Sequence, residues 1–379
     1  MKQQLFNHIK NIPGWKTKRK LVVISVDDYG NVRLDSKIAR ANMDKAGLKV
    51  STRFDAYDTL ENKQDLEALF DALSSVKDKN GNPAVFTPFA LPCNIDFETM
   101  AANHYESYAY ELLPETYKKL SSNDPKAYEG AWELWQEGIA KGILRPQFHG
   151  REHLNLKVFE EKLQQKDEVL LTALKNRSYT SQSPSGYSSI GYTAAFSFWN
   201  FEENLRFREI MRDGFQKFEN VYGYASIHFN PPGGREHTCV HDYLKENGVR
   251  CIDVPLIKTE HQGNGKYKKS VHWTGQKNKV GQTYMVRNAV FEPTDNSGKD
   301  WVDYTMKQVE IAFFWNRPAI ISSHRVNFCG HIDEKNRAIG IGALKALLAK
   351  IVAQWPDVEF VSSEQLIHIM EGTTERSNY

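Results

Sequence analysis

The amino-acid sequence predicts an α/β protein in which parallel strands and helices form a distorted (β/α) barrel of seven or eight units. Three observations lead to this prediction. Short apolar runs rich in β-branched residues recur along the 379 residues, helical patterns alternate with them, and several runs end in Asp, His or a Pro/Gly turn. Continuous apolar runs indicate strands covered on both faces, and their alternation with helices indicates βα units around a parallel sheet. The pattern favours a single domain over residues 1–379, with a core of about residues 20–370.

The individual elements follow from local patterns. Strands are predicted at the short apolar runs, namely residues 21–26, 50–57, 84–90, 144–148, 224–229, 249–254, 319–322 and 358–361. Helices are predicted where apolar residues recur every three or four positions, namely residues 35–46, 63–75, 156–174, 238–246, 301–315, 336–354 and 364–370. Asn247-Gly248 and Pro356 end two of these helices, because Gly closes a helix in the left-handed conformation and Pro cannot continue one.

Three long stretches interrupt the alternation, at residues 100–141, 179–200 and 258–296. The first is polar and mostly helical by propensity, and the second is a loop rich in Ser, Gly and aromatic residues. The third carries four glycines and predicts a hairpin excursion. Loops of this length usually carry function. We expect the second and third to fold over the carboxyl edge of the barrel and to bring Trp199 and Trp273 to the substrate.

Composition and charge exclude several classes of function. The chain has 40% hydrophobic and 25% charged residues and a net charge of +2, without the basic face that nucleic-acid binding requires. No apolar run approaches the ~20 residues of a membrane span, and the amino terminus lacks the apolar core of a secretory signal. The four scattered cysteines form no C-x-x-C pair, which is typical of a reducing compartment. These features predict a cytoplasmic protein without nucleic-acid or membrane partners, and they leave its oligomeric state open.

Asp27 and Asp28 directly follow the first predicted strand. In parallel α/β folds, ligands bind at this carboxyl edge of the sheet. Adjacent carboxylates repel each other, so each needs a partner of its own. A structural alternative is that one Asp caps the following helix while the other faces solvent.

His149 and His153 follow another predicted strand at the same edge. A spacing of four residues places two imidazoles on one helical face, which suits metal chelation. A pair of histidines at this spacing also occurs without a metal. Its position at the same edge as the two aspartates favours the metal interpretation.

Three further strand ends carry notable residues. Asn230 to Gly234 form a Pro/Gly turn that includes Pro232 and Gly233, and taken by itself this pattern favours a plain loop. Asp253 and His324 end two more predicted strands. Five strand ends on one face thus carry Asp, His or a rigid turn, and this coincidence predicts a functional site there.

This order of motifs resembles the NodB-like polysaccharide deacetylases, carbohydrate esterase family 4. That family has a strand-end Asp-Asp, then H-[ST]-x-x-H, an Arg/Pro/Gly turn, an Asp and a final His. The resemblance spans residues 22–324. It implies a barrel enzyme that hydrolyses N- or O-linked acetyl groups of a carbohydrate with Zn²⁺, or with Co²⁺, Ni²⁺ or Mn²⁺ in its place.

The resemblance also implies residue roles. Asp28, His149 and His153 would hold the ion, Asp27 would be the base for attack by metal-bound water, and His324 would be the acid. Pro232 and Gly233 would lie beside the oxyanion, with Asp253 supporting catalysis. Because strand side chains alternate, Asp27 is expected to reach the water through the turn if Asp28 binds the metal.

The sequence departs from the family pattern in three places, one of them the stretch 322–328, which is more polar than the family's usual ending, and so resembles a divergent branch. Gly150 stands where the family has Ser or Thr, and Asn230 lies near the position of an Arg that pairs with the base. Arg325 is the candidate replacement for that Arg and is therefore expected at the substrate.

Two alternative functions remain open from the sequence. His149, Glu152 and His153 also match the H-x-x-E-H pattern of inverzincin metallopeptidases, with Glu152 as the base. This reading places Gly150 inside a helix, at a cost of ~1 kcal/mol relative to Ala, and leaves the Asp pair unexplained. The other alternative is a non-catalytic carbohydrate-binding relative that keeps the barrel without turnover.

Overall fold

Thirteen strands make up the sheets of the computed structural model, which describes residues 2–48, 52–180, 190–234 and 236–373. In chain order the strands are β1 Lys20–Tyr29, β2 Phe86–Ala90, β3 Cys93–Ile95, β4 Tyr110–Leu112, β5 Gln147–Phe148, β6 His228–Phe229, β7 Cys251–Asp253, β8 Ile257–His261, β9 Tyr267–Val271, β10 Thr283–Met285, β11 Ala289–Val290, β12 Ala319–His324 and β13 Val358–Phe360.

Fifteen α-helices connect and flank these strands in the same described residues. They are α1 Lys2–Ile9, α2 Lys37–Lys45, α3 Arg53–Tyr57, α4 Lys63–Ser74, α5 Phe97–Ala102, α6 Leu113–Asn123, α7 Pro125–Tyr128, α8 Ala131–Ala140, α9 Leu156–Gln164, α10 Glu168–Lys175, α11 Phe207–Tyr222, α12 His241–Glu246, α13 Trp301–Phe314, α14 Glu334–Gln354 and α15 Ser363–Glu371. Judged over the described residues, none of the helices has the length and apolarity needed to cross a membrane.

Nine of the described strands form one parallel sheet in the order β10-β7-β6-β5-β2-β1-β12-β11, with β13 paired to β1. β10 and β11 follow each other in the chain with residues 286–288 between them, and they run in the same direction. β10 pairs with β7 and β11 pairs with β12. The two short strands therefore occupy one strand position that joins the ends of the sheet. The predicted distorted (β/α) barrel is thus confirmed, with seven main strand positions.

Alternate residues of β1 pack on opposite sides of the sheet, as strand geometry requires. Leu21 and Val23 are buried in one cluster with Leu366 and Ile367 of α15, which fills that side of the sheet. The intervening Val22 is buried in the main core between the sheet and the surrounding helices. Because both faces are covered, β1 is a continuous apolar run rather than an alternating one.

Two antiparallel hairpins lie outside the main sheet. β3 pairs with β4, and β8 pairs with β9 over residues 257–271. The second hairpin agrees with the excursion predicted within residues 258–296. The same stretch also contains β10 and β11, so its later part belongs to the barrel rather than to an insertion.

Two predicted elements differ from the structure. Residues 50–57 were expected as a strand, but Arg53–Tyr57 is a short helix because the Thr52 side chain accepts a hydrogen bond from the Asp55 N–H and caps it. Residues 49–51 lie outside the described residues. The single helix expected at 156–174 is two helices, since Lys166 has a φ of 53° and Asp167 caps the second.

Gly340 and Gly342 of α14 provide a matched test of this packing. A Cβ on Gly340 would lie 1.7 Å from the carbonyl oxygen of Asn327, whereas a Cβ on Gly342 would meet nothing within 4 Å. Gly340→Ala should therefore destabilise the protein by roughly 1–3 kcal/mol or more. Gly342→Ala should stabilise it by about 0.5–1 kcal/mol, because Ala loses less entropy in a helix.

Urea unfolding of both variants measures the two free energies. Equal changes of the same sign would show that α14 does not pack tightly on the segment around Asn327.

Candidate active site

Asp27 and Asp28 lie near the carboxyl end of β1, and the backbone departs from regular strand geometry there. The pairing with β2 shifts register between Val26 and Tyr29. Asp28 has a φ of 75°, which is rare for a residue with a Cβ. Asp27 keeps its place in the pleat, opposite His324 of β12. Both carboxylates consequently line one cavity. The expectation that Asp27 would leave the pleat is wrong, because the backbone turns at Asp28 instead.

His149 and His153 lie in an irregular loop after β5 rather than on one face of a helix. Gly150 between them has a φ of 105°, which a residue with a side chain would rarely adopt. The two rings nevertheless approach to 5.0 Å between their centroids. The prediction that the two histidines share one face of a helix is therefore wrong, although the loop brings the same two imidazoles together.

Asp28, His149 and His153 form a compact group in which the potential ligand atoms lie within 4.8 Å of one another. Asp28 Oδ1 is 3.6 Å from His149 Nε2 and 3.3 Å from His153 Nε2. His149 Nδ1 donates to the carbonyl of Asn230 at 2.7 Å, so its Nε2 carries a free lone pair. All three side chains are buried.

The protonation states of this group suit a divalent metal ion. Burial lowers the pKa of the His153 imidazole to about 3, so that ring is neutral. Burial alone would raise the pKa of the Asp28 carboxyl, but its polar and charged neighbours, among them the Arg33 guanidinium, hold it well below its usual range. A carboxylate and two imidazoles are a donor set that Zn²⁺ accepts at catalytic sites. These residues therefore fit the ion that the sequence predicts.

Arg287 clamps the carboxylate of Asp27. It lies in the link between β10 and β11, and its Nη1 and Nη2 donate to Asp27 Oδ2 and Oδ1 at 2.9 and 2.7 Å. Its Nε donates to Asp253 Oδ2 at 2.9 Å. Asn230 Nδ2 adds a bond to Asp27 Oδ1 at 2.8 Å. Burial raises the pKa of the Asp253 carboxyl, but Arg287 outweighs it and the net shift is downward.

Sequence reasoning missed Arg287 and chose Arg325 for this position. Arg325 is fully buried, and it donates to Asp58 Oδ1 at 3.0 Å and to Glu61 Oε2 at 3.1 Å. Because Arg325 is fully buried and lines neither cavity of the cleft, the expectation that it contacts substrate is wrong. A signal for Arg287 existed, since it directly follows a short apolar run within the predicted excursion.

His324 is oriented by Glu292, a second residue that the sequence reasoning missed. His324 Nδ1 lies 2.7 Å from Glu292 Oε1, and its Nε2 faces Asp27 Oδ2 at 3.9 Å. Burial opposes the imidazolium, but the Glu292 carboxylate prevails and raises the pKa of His324 to about 9. Arg53 and Asn327 hold the other oxygen of Glu292. His324 is therefore a cationic proton donor at neutral pH.

Two adjoining cavities form a cleft at the carboxyl edge of the barrel. One of about 260 Å³ contains the Asp28 group, and the other of about 340 Å³ contains Asp253 and Arg287. Asp27, Gly234 and His324 line both cavities. The candidate base and acid therefore stand where the two halves of the cleft meet.

The Pro/Gly turn borders this cleft through its glycines. Gly233 and Gly234 have φ values of 71° and 63°, and Gly233 lines the smaller cavity. Pro232 is buried, and a Cβ on Gly150 would touch its ring at 3.4 Å. Pro232 thus supports the loop that carries the two histidines.

Neither tryptophan expected at the substrate lines the cleft. Trp273 borders a small cavity with Pro13, Arg317 and Pro318, which lie at the amino end of β12. The carbonyl of Trp199 accepts from the N–H of Asn264, in the turn of the β8–β9 hairpin. The hairpin therefore holds Trp199 away from the cleft.

The predicted loop at 179–200 reaches the site at a different residue. Thr193 lines the smaller cavity, while residues 181–189 lie outside the described residues. Among the described residues of this loop, the one that borders the cleft is thus polar rather than aromatic.

Glu152 is not placed to act as a metallopeptidase base. Arg151 donates to both of its carboxylate oxygens, at 2.5 and 3.0 Å, and also bonds Asp213. Glu152 is buried and lines neither cavity of the cleft. The structure therefore contradicts the inverzincin alternative, because the required carboxylate is already occupied.

Comparisons with known proteins give matches at the level of structure. No family model matches this chain, and no curated protein matches it. A structure assigned as a polysaccharide deacetylase from Mycobacterium smegmatis is 13% identical and covers 97% of this chain and 96% of its own, with a TM-score of 0.46. Puue allantoinase is 10% identical and covers 96% and 95%, with a TM-score of 0.47.

A third match is the peptidoglycan N-acetylglucosamine deacetylase Bc1960. It is 10% identical and covers 94% of this chain and 90% of its own, with a TM-score of 0.36. Solved structures of polysaccharide deacetylases are thus among the matches, in agreement with the resemblance that the motifs indicate.

Asp28→Asn and Asp27→Asn should separate metal binding from the remaining chemistry. Asp28→Asn removes the only carboxylate of the three-residue group and should weaken zinc binding roughly tenfold or more. Asp27→Asn should keep its zinc, because Asp27 bonds Arg287 and Asn230 instead. Elemental analysis after dialysis against a graded chelator measures both affinities. Zinc loss in Asp27→Asn with retention in Asp28→Asn would show that the roles are reversed.

Proposed function

We propose that this chain is a metal-dependent hydrolase that removes N- or O-linked acetyl groups from a carbohydrate. The observation that carries the proposal is the shared position of Asp27 and His324, beside the group of Asp28, His149 and His153 in one cleft. A bound divalent ion, with Zn²⁺ the first choice, would polarise the acetyl carbonyl and make water more acidic. The cytoplasmic location expected from the sequence stays a prediction.

Asp27 is suited to take a proton from the attacking water. A carboxylate offers about four acceptor positions. Arg287 and Asn230 occupy three of them, through the bonds at 2.7, 2.8 and 2.9 Å. One position remains for the water, and the clamp fixes its direction. Base catalysis of this kind contributes about 10²–10⁴-fold to the rate.

His324 is suited to protonate the departing nitrogen or oxygen of the sugar. Its Nδ1 is engaged by Glu292, so its Nε2 is the atom that can donate into the cleft. The base and this donor face each other at 3.9 Å from Asp27 Oδ2 to His324 Nε2. Water can therefore be activated on one side while the leaving group is protonated from the other.

A non-catalytic carbohydrate-binding relative is the competing function. The sequence supported this function because Asn230 lies near the position at which the family has an arginine paired with the base. Arg287 supplies that guanidinium from another part of the chain, so the base keeps a cationic partner. A clamped base and an acid with a raised pKa favour turnover over simple binding.

Acetate release tests the proposal directly. The zinc-, cobalt-, nickel- or manganese-loaded protein should release acetate from at least one acetylated sugar in a panel of oligosaccharides and nucleotide sugars. Asp27→Asn and His324→Ala should each lose about 10²-fold or more in kcat while keeping the metal. Asp71→Asn, at an exposed position of α4, is the matched control and should match the wild type. Wild-type rates in both Asp27→Asn and His324→Ala would reject the proposal.

The pH dependence should report the Glu292–His324 pair. The acid works in its protonated form, so kcat/KM should be sustained below the pKa of about 9 and fall as pH rises through it. Glu292→Gln removes the charge that raises this pKa, so the alkaline limb should move to lower pH by about one unit or more. Acetate release measured across pH 6–11, a range of roughly five units, gives the kcat/KM profiles of the wild type and of Glu292→Gln. An unmoved alkaline limb in Glu292→Gln, with zinc retained, would exclude His324 as the acid.

A further inference from the structure

We propose that Arg33 binds an anionic group of the substrate, a carboxylate or a phosphate carried by the acetylated sugar. The part concerning the acetyl group rests on the proposed function. Arg33 lines the smaller cavity of the cleft together with Asp28 and His324. It is only 4% exposed, so its guanidinium is withdrawn from solvent yet borders the space where substrate would lie.

The donors of Arg33 are poorly satisfied. Its Nε is buried without a hydrogen-bond partner. Within the described ranges its one ion pair joins Nη1 to Asp58 Oδ2 at 3.8 Å, which is too long for a hydrogen bond. Asp58 already accepts from Arg325 at 3.0 Å. A buried guanidinium with five donors normally finds close acceptors, so this one has capacity left for a ligand.

The rings of Phe54 and Tyr179 hold Arg33 in place, and the Tyr179 hydroxyl also interacts with its guanidinium. The guanidinium carbon lies 5.4 Å from the ring centre of Phe54 and 5.9 Å from that of Tyr179. Tyr179 is fixed in turn by hydrogen bonds exchanged with Asn31 at 2.7 and 3.0 Å. Ring faces attract the cation but accept its donors weakly. Arg33 is therefore oriented in advance of binding.

The charge balance also leaves Arg33 in need of an anion. Burial disfavours its charge, but Asp28 and other neighbours prevail and raise the pKa of Arg33, so it is cationic at every relevant pH. Asp28 belongs to the metal-binding group, and a bound cation would take up its negative charge. Arg287 and Arg325, by contrast, each donate to two carboxylates at 3.1 Å or less.

The geometry of a guanidinium matches planar carboxylates and phosphates through paired hydrogen bonds. The ligand group is therefore an oxyanion rather than a hydroxyl-rich neutral sugar face. A uronate and a sugar phosphate share this chemistry, and the experiment separates them.

Calorimetric titration of the full chain tests the proposal without requiring turnover. The probes are N-acetylglucosamine, its 6-phosphate and its 6-carboxylate, each added to zinc-loaded and to metal-free protein. At least one anionic probe should bind about 10-fold or more tightly than the neutral sugar, in both forms. In Arg33→Gln this preference should vanish while the affinity for the neutral sugar is unchanged, and Arg33→Lys should keep part of it.

Arg317→Gln is the control, because Arg317 is also 4% exposed but lies at the amino edge of the barrel. It should retain the preference for the anionic probe. Equal or undetectable binding of all three probes overturns the proposal. A preference that persists in Arg33→Gln also overturns it, since the anion would then bind the metal or another cation.

Acetate assays on the same sugars distinguish this inference from the proposed function. Equal release from neutral and anionic sugars would leave the deacetylase proposal standing and remove the role of Arg33. An Arg33-dependent binding preference without acetate release from any sugar would uphold the anion site and reject the deacetylase.

Discussion

The candidate site depends on the left-handed backbone at Asp28, where β1 stops being a regular strand. Such a conformation costs on the order of 1–3 kcal/mol and persists only where neighbouring bonds enforce it. Here the N–H of Gly30 donates to the Glu61 carboxylate at 3.0 Å, and the N–H of Leu91 donates to the carbonyl of Tyr29 at 2.9 Å. The strand end is thus tied on both sides, and two consecutive carboxylates reach one cavity that a regular pleat would deny to one of them.

Two buried arginines each pair with a different set of the acidic groups around this bend. Arg287 donates hydrogen bonds to Asp27 and Asp253 at the cleft. Arg325 donates to Asp58 and Glu61 beneath it. Removing one partner of a buried ion pair commonly costs about 3–5 kcal/mol, because the other charge stays behind. Arg325 therefore stabilises the residues beneath the site, and Arg287 fixes the direction of the Asp27 carboxylate. Their adjacent roles explain why a sequence pattern alone confuses them.

The barrel and the convergence of its strand-end residues could be predicted, because the carboxyl ends of parallel strands meet at one edge. Spacing also paired His149 with His153, although a loop rather than a helix brings them together. Arg287 and Glu292 escaped prediction because the strands beside them, β10 and β11, are only two or three residues long and are defined by distant partners rather than by local pattern. Trp273 was expected at the cleft from the aromatic content of its loop and the active face of barrel folds, but neither determines the edge on which a loop packs.

β10 and β11 share the strand position at which the two ends of the sheet meet. This position affects when the site is completed during folding. The Asp27–Arg287 pair joins residues 260 positions apart, and it sits where the two ends of the sheet come together. Contacts so distant in sequence carry a large loop-closure cost and form only with the completed topology. A nascent or partly assembled chain would present its carboxylate without the clamp that aims it. The proposed hydrolytic activity would in this way depend on closure of the barrel.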